Sequence, residues 1–299
     1  MYRTLVGTFG HDDGVNGPII AQSERLGIPV PDILRPKYTL KERLNAEQHF
    51  DGMTRLLDKR LHEISRDDRT VLDIVHRIRR DAFHRGLLRP EILGPVCILL
   101  FQRVVGLTRK LNPRHLSYSS LTDEQKSFLE RFHVEAASSL IHDETVEQIG
   151  NQLLEGVTLD NAEFSRVLAD DLLSRIDEAL ETLKDIRETD DEQSLDRLLN
   201  DKQFYVEKKA EVETCPDRDA IEQLFEDWRR GGAPRLSYRR IKSLRRRAER
   251  IQQQTDAANA LGLYWSVEGL FSPAEERIGE IATDYDDWIN LQIDMARGK

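Results

Sequence analysis

The chain has 299 residues, of which 39 % are hydrophobic and 33 % charged, and its net charge is −10. That length can bury a real core in one large helical domain or two smaller ones. The charge and the 17 glycines argue against a compact α/β enzyme and for helices that keep much of their surface in water. An acidic chain repels nucleic acid and anionic membrane as a whole, and two cysteines, Cys97 and Cys215, make neither a disulfide framework nor a zinc site.

Residues 1–38 read as an extended arm. A short β-like run, Thr4 to Phe9, leads to a polar turn at Gly10-His11-Asp12-Asp13-Gly14. Pro29, Pro31 and Pro36 then forbid a continuous helix. No charged-then-apolar leader is visible.

From Thr39 onward the pattern is helix after helix. Thr39 and Glu42 form a capping box, in which each side chain satisfies the other's backbone N–H. Phe50, Met53, Leu57, Leu61 and Ile64 follow at three- and four-residue spacing, one apolar stripe. Asp67 or Asp68 caps the next helix, whose stripe is Val71, Ile74, Val75, Ile78 and Ala82 and whose end is Gly86. The segment Val96 to Leu111 reads as a central buried helix, with Cys97 as a small buried hydrophobe. Its longest apolar run, Val96 to Phe101, is far short of the ~20 residues of a membrane span. The expectation is a cytoplasmic protein with no span.

Thr122 opens a helix through Phe128, Phe132 and Leu140. Asp160 opens what reads as the longest helix, to about Arg187, with Leu172, Ile176, Ala179, Leu183 and Ile186 as a two-heptad stripe suited to packing against neighbouring helices. A polar hinge at residues 188–193 follows, then helices over about 194–213 and 217–230, another from Ser237, and a last one opening at Ser272-Pro273-Ala274-Glu275. The last stripe is Ile278, Ile281, Tyr285, Trp288 and Ile289. The fold class is therefore all-α, a multi-helix bundle of eight or nine amphipathic helices, divided into the 1–38 arm, a 39–158 helical module and a 159–299 long-helix module.

Charge is segregated along the chain. Between Arg229 and Arg250 ten basic residues face one acid, Glu249, so this segment carries +9 and the remainder −19. On a helix, Ile241, Leu244, Ala248 and Ile251 share one side, while Arg239, Arg240, Arg246, Arg247 and Arg250 share the other. Guanidinium forks suit phosphate oxygens. Arg235, Arg239, Arg240, Lys242, Arg246, Arg247 and Arg250 are thus candidate anion or nucleic-acid contacts. The competing reading is a solvated face that pairs with acids elsewhere in the chain or on a partner.

No catalytic signature is present. Helical proteins hold paired metals with Glu-x-x-His motifs on two helices, and Glu130 and His133 form the one such pair here. Asp73 with His76 and Asp81 with His84 repeat the spacing with Asp, on a single helix. An Asp-rich magnesium-diphosphate motif begins at Asp170-Asp171 and at Asp286-Asp287, but neither supplies the final carboxylate. Gly7, Gly10, Gly14 and Gly17 match no phosphate loop. No cofactor is expected. The leading expectation is a non-enzymatic scaffold or adaptor with a protein partner or a homo-oligomeric state. A nucleic-acid-associated factor using residues 235–251 and a helical metalloenzyme are the alternatives.

Overall fold

The structure is a computed structural model and describes residues 8–9, 12–85, 90–111, 122–132, 143–232 and 236–297. Among them there are 13 α-helices and no strand. The all-α expectation holds. The count exceeds eight or nine because several stretches read as single helices are broken. Thr39 to Lys59 splits at His49 into α2 (Leu40–Gln48) and α3 (Phe50–Lys59), after α1 (Gly17–Arg25). The chain divides into two compact units, Met1–Asp160 and Asn161–Lys299.

In the first unit the arm is helical ahead of Pro29, Pro31 and Pro36, and no α-helix crosses those prolines, as their chemistry requires. Residues 12–25 are helical, because Pro18 occupies a first-turn position where its missing N–H costs nothing. Phe9 is buried with Met53, Leu56, Leu57, Ile64, Leu72 and Leu107. The Tyr38 ring meets Phe9 edge-on at 5.1 Å, and its hydroxyl donates to Asp12 at 2.6 Å. Burial, together with that carboxylate acceptor, raises the Tyr38 pKa well above its ordinary value. Arg43 closes the cluster, with an ion pair to Asp13 at 2.8 Å and its guanidinium over Phe9.

The expected capping box at Thr39 and Glu42 is present. α4 (Arg66–Arg85) is capped by Ser65 rather than by Asp67 or Asp68. The Ser65 hydroxyl accepts from the Asp68 N–H at 3.0 Å, and the Asp68 carboxylate accepts from the Ser65 N–H at 3.2 Å. α5 (Pro90–Lys110), α6 (Asp123–Arg131) and α7 (Asp143–Leu154) complete the unit. Gly86 and Leu140, read as a helix end and as part of the helix opened by Thr122, lie outside the described residues.

In the second unit α8 (Asn161–Arg187), α12 (Tyr238–Glu249) and α13 (Ala257–Ala296) pack side by side, and α9 (Glu192–Glu207), α10 (Lys209–Val212) and α11 (Arg218–Arg230) lie between α8 and α12 in sequence. The partners of α8 on α13 keep a nearly constant offset. Tyr264 reaches Asp171 and Arg175 reaches Glu268, each 93 residues apart, so the two helices run parallel. Arg245 of α12 pairs with Asp177, whereas Gln254 beyond it accepts from Ser165, so α12 runs antiparallel to α8.

α13 corrects two expectations. It is the longest helix, with 40 residues, and Ser272-Pro273 lies inside it rather than at its start. Proline removes one backbone bond and crowds the carbonyl four residues back. Here that carbonyl belongs to Gly269, and Phe271 and Ala274, both buried, hold the helix continuous across the break. α13 also carries one unbroken three-four repeat: Ala257, Ala260, Tyr264, Val267, Phe271, Ala274, Ile278 and Ile281, all buried, then Tyr285, Trp288, Gln292 and Met295. Its counterpart on α8 is Ser165, Ala169, Leu172, Ile176, Ala179 and Leu183, all buried.

Gly52 fixes how closely α2 and α3 cross. A Cβ there would lie 2.3 Å from the Asn45 amide nitrogen and 2.5 Å from the Asn45 carbonyl oxygen. The second of these is backbone and cannot swing away. Gly52→Ala is therefore expected to cost about 2 kcal/mol or more through overpacking, read as a lowered urea midpoint with an unchanged slope; an unaltered midpoint would contradict the packing of α2 on α3.

Candidate functional site

α12 presents the basic residues from a firmly held base. Ser237 caps it, its hydroxyl accepting from the Arg240 N–H at 3.1 Å, and the Tyr238 N–H donates to Asp196. Tyr238, Ile241, Leu244, Ala248 and Ile251 are buried, as the amphipathic pattern implied. The cations above them divide into two groups. Lys242 pairs with Glu192 at 3.0 Å, and Arg245 pairs with Asp177 at 2.8 Å and Glu249 at 2.6 Å, so this flank is neutralised within the unit. At ~100° per residue, Arg239, Arg246 and Arg250 fall within about 40° of one another, directly opposite the buried side. These three and Arg247 are exposed and make no ion pair among the described residues. Arg240 is also exposed. Arg235 lies outside the described residues.

A half-buried charge cluster, not anticipated from the sequence, joins α8 to α13. Arg175 forks onto Glu275 through Nε, at 2.7 Å, and through Nη2, while Nη1 donates to Glu268 at 2.8 Å and Asp171 at 3.3 Å. The Tyr264 hydroxyl donates to Asp171 at 2.7 Å, and the guanidinium lies over the Phe271 ring. Burial opposes the charge on Arg175, but the hydrogen bonds to Glu275 and Glu268 outweigh it and hold the guanidinium protonated well above its ordinary value. Asp171, the second member of the incomplete Asp-rich motif, thus serves as an ion-pair partner. The signals in the sequence were the four-residue step from Asp171 to Arg175 and the seven-residue step from Glu268 to Glu275, which put each pair on one helix face.

No family model, curated protein or solved structure matches this chain. The site must therefore be judged on its own geometry.

α5 departs furthest from expectation. It was read as a central buried helix with Cys97 inside. Ile92, Val96, Leu99 and Leu107 are indeed buried, but Cys97 is exposed. Leu93, Ile98, Phe101 and Val104 are each 36 to 43 % exposed. The helix is apolar on nearly every side, and among the described residues α4 and α7 cover it in part: Val105 is buried as well, while Leu93, Phe101 and Val104 are not. As a helix of 21 residues, α5 is long and apolar enough to cross a membrane by length and composition, although the run Val96 to Phe101 alone is not, and 28 % of its most apolar window is buried. Arg103 pairs with Asp68 at 3.3 Å, Arg109 pairs with Glu147, and the Gln102 amide donates to the Val157 carbonyl at 2.9 Å. These contacts tie the inner side of α5 to α4, to α7 and to the segment after it.

Among the described residues no group of three or more His, Cys, Asp or Glu could hold a metal. Glu130 is exposed on α6, and its partner in the motif, His133, lies outside the described residues, as do the side chains of Asp81 and His84. His76 stacks on Phe50 at 4.5 Å, and Asp73 accepts from Thr54 at 2.6 Å, so that pair does structural work.

The Arg175 cluster sets the register of α8 on α13. Arg175→Ala leaves three carboxylates without their cation and is expected to cost about 3 kcal/mol or more. Arg175→Lys should recover only part of this, because an ammonium cannot fork. Urea unfolding of both variants measures it; equal stability of Arg175→Ala and the parent would contradict the assignment.

Proposed function

We propose that the protein is a non-catalytic helical adaptor that holds a protein partner against the outward face of α5. One observation carries this reading: a folded unit leaves uncharged, apolar helix surface in solvent. Leu93, Cys97, Phe101, Val104 and Thr108 follow one another along α5 over about 22 Å with no charge between them on that face. Contiguous apolar surface of this kind is a mark of interaction sites. A protein partner fits better than a bilayer crossing, because a crossing would carry the Arg103–Asp68 pair into hydrocarbon, where an ionised side chain is costly.

Cys97 lies mid-face and gives a direct test. With Cys215→Ser, a photo-crosslinker on Cys97 should form one discrete adduct in extract of the native cell, and Phe101→Glu should abolish it. No discrete adduct, or one indifferent to Phe101→Glu, would overturn the reading.

The arginine crest of α12 supports a second function, contact with a polyanion backbone. Its support is the division just described: one flank is neutralised in the unit while Arg239, Arg246, Arg247 and Arg250 are not. Four phosphate contacts give a salt slope of about −3 to −4 in log affinity against log salt. Fluorescence anisotropy with a duplex DNA across a salt series should show that slope, and changing the four arginines to Ala should flatten it. No binding at low salt would dismiss this function.

A further inference from the structure

The apolar repeat of α13 outlasts the helix that fills it. Through Ile281 every repeat position is buried. Beyond it Trp288 is 56 % and Met295 64 % exposed, with Leu291 exposed beside them. α8 ends before α13 does, and past that end α13 is held by α9, where Lys202 pairs with Asp284 at 2.6 Å. The last residue of α8 is Arg187, and the offset of 93 residues places that end beside Glu280. Sixteen residues of α13, from Ile281 to Ala296, continue past it. They carry the same three-four rhythm, so the surface is continuous with an interface already built.

We propose that this tip pairs with the same tip of a second copy of the chain, antiparallel, about a two-fold axis near Asn290. Three features select this occupant. The first is charge. The tip is acidic, but Asp286, Asp287 and Asp294 lie off the repeat, and Asp284, at its edge, is paired with Lys202 at 2.6 Å. The flanking positions are Ile289 and Leu291, so two copies meet without like charges opposed. The second is symmetry. In an antiparallel pair Ile289 faces Ile289 of the other copy and Leu291 faces Leu291, a self-complementary isologous contact. The third is space. The exposed repeat lies on the forward extension of α8. A second α13 arriving parallel would have to pass its own Ala257–Ile281 length through the volume that α8 fills. Arriving antiparallel, it meets the end of that helix and, at Asp284, the flank of α9. Gln292 then lies opposite Trp288 of the other copy and, as the one polar group in the repeat, sets the register.

The contact is short, a little over three turns from each copy, so the pairing is weak and reversible. It is independent of the α5 face. Sedimentation equilibrium of the full chain, from about 1 to about 300 µM, should show the mass rise from 34.6 kDa toward twice that value. Trp288→Glu should hold it at the monomer mass with an unchanged thermal melt, since Trp288 lies beyond the buried core. Orientation is read with the native cysteines changed to Ser. Ile289→Cys should then crosslink to itself under oxidised glutathione, and Tyr285→Cys should not, because Tyr285 faces its own counterpart only in a parallel pair. A chain that stays monomeric throughout, a dimer that survives Trp288→Glu, or self-crosslinking through Tyr285→Cys in place of Ile289→Cys would each overturn the proposal.

Discussion

The parallel contact between α8 and α13 governs the second unit. Both helices carry an apolar stripe, α8 on a largely charged surface and α13 on one that is uncharged from Ala257 to Val267, and neither stripe can be left in water along its whole length without cost. Leu172 and Ile176 on one side, and Phe271 and Ile278 on the other, are buried nearly completely. Arg175 locks the sliding degree of freedom that hydrophobic stripes leave open, because its fork accepts only one placement of Glu268 and Glu275. α12 then lies antiparallel on the same pair of helices, which is why its basic crest has a fixed direction and its neutralised flank a fixed set of acids. α8 is shorter than α13, α9 meets α13 at the Lys202–Asp284 pair, and beyond that pair Trp288, Leu291 and Met295 are exposed.

The same logic runs through the first unit in another form. α5 is apolar around most of its circumference, yet among the described residues α4 and α7 cover only part of it. In both units the surface open to a partner is an apolar helix face for which the unit's own helices do not suffice. The proposed adaptor rests on this surplus: each unit has a core of its own, and the apolar surface left over sits on a helix that the core holds in place. The Arg103–Asp68 and Lys202–Asp284 pairs stand at the edges of these surfaces and settle nearby charge before any partner arrives.

The helical class, the cap at Thr39, the helix start at Ser237 and the buried side of α12 are legible in the sequence because each depends on neighbours within a turn or two. What was not legible depends on contacts across many residues. Periodicity marks Val96 to Leu111 as apolar but cannot say how many of its sides find a neighbour, so Cys97 was misread as buried. Proline at 273 reads locally as a helix start, and only packing on α8 shows the helix passing through it. The stripe from Ile278 to Ile289 was visible, but its division into a core half and an open half follows from where α8 ends, a fact carried about 93 residues away. The arginines split in the same way: their face was apparent from spacing, while the pairing of Lys242 and Arg245 with Glu192 and Asp177 was not.

The central claim is that burial along α13 stops where α8 stops. Native-state hydrogen exchange, followed amide by amide along α13 in dilute protein, tests it most directly, because protection reports local opening. Slow exchange through Ile281, with protection falling sharply from Tyr285 onward and returning as the protein is concentrated, is the result expected. Uniform strong protection to Met295 in dilute protein would contradict it.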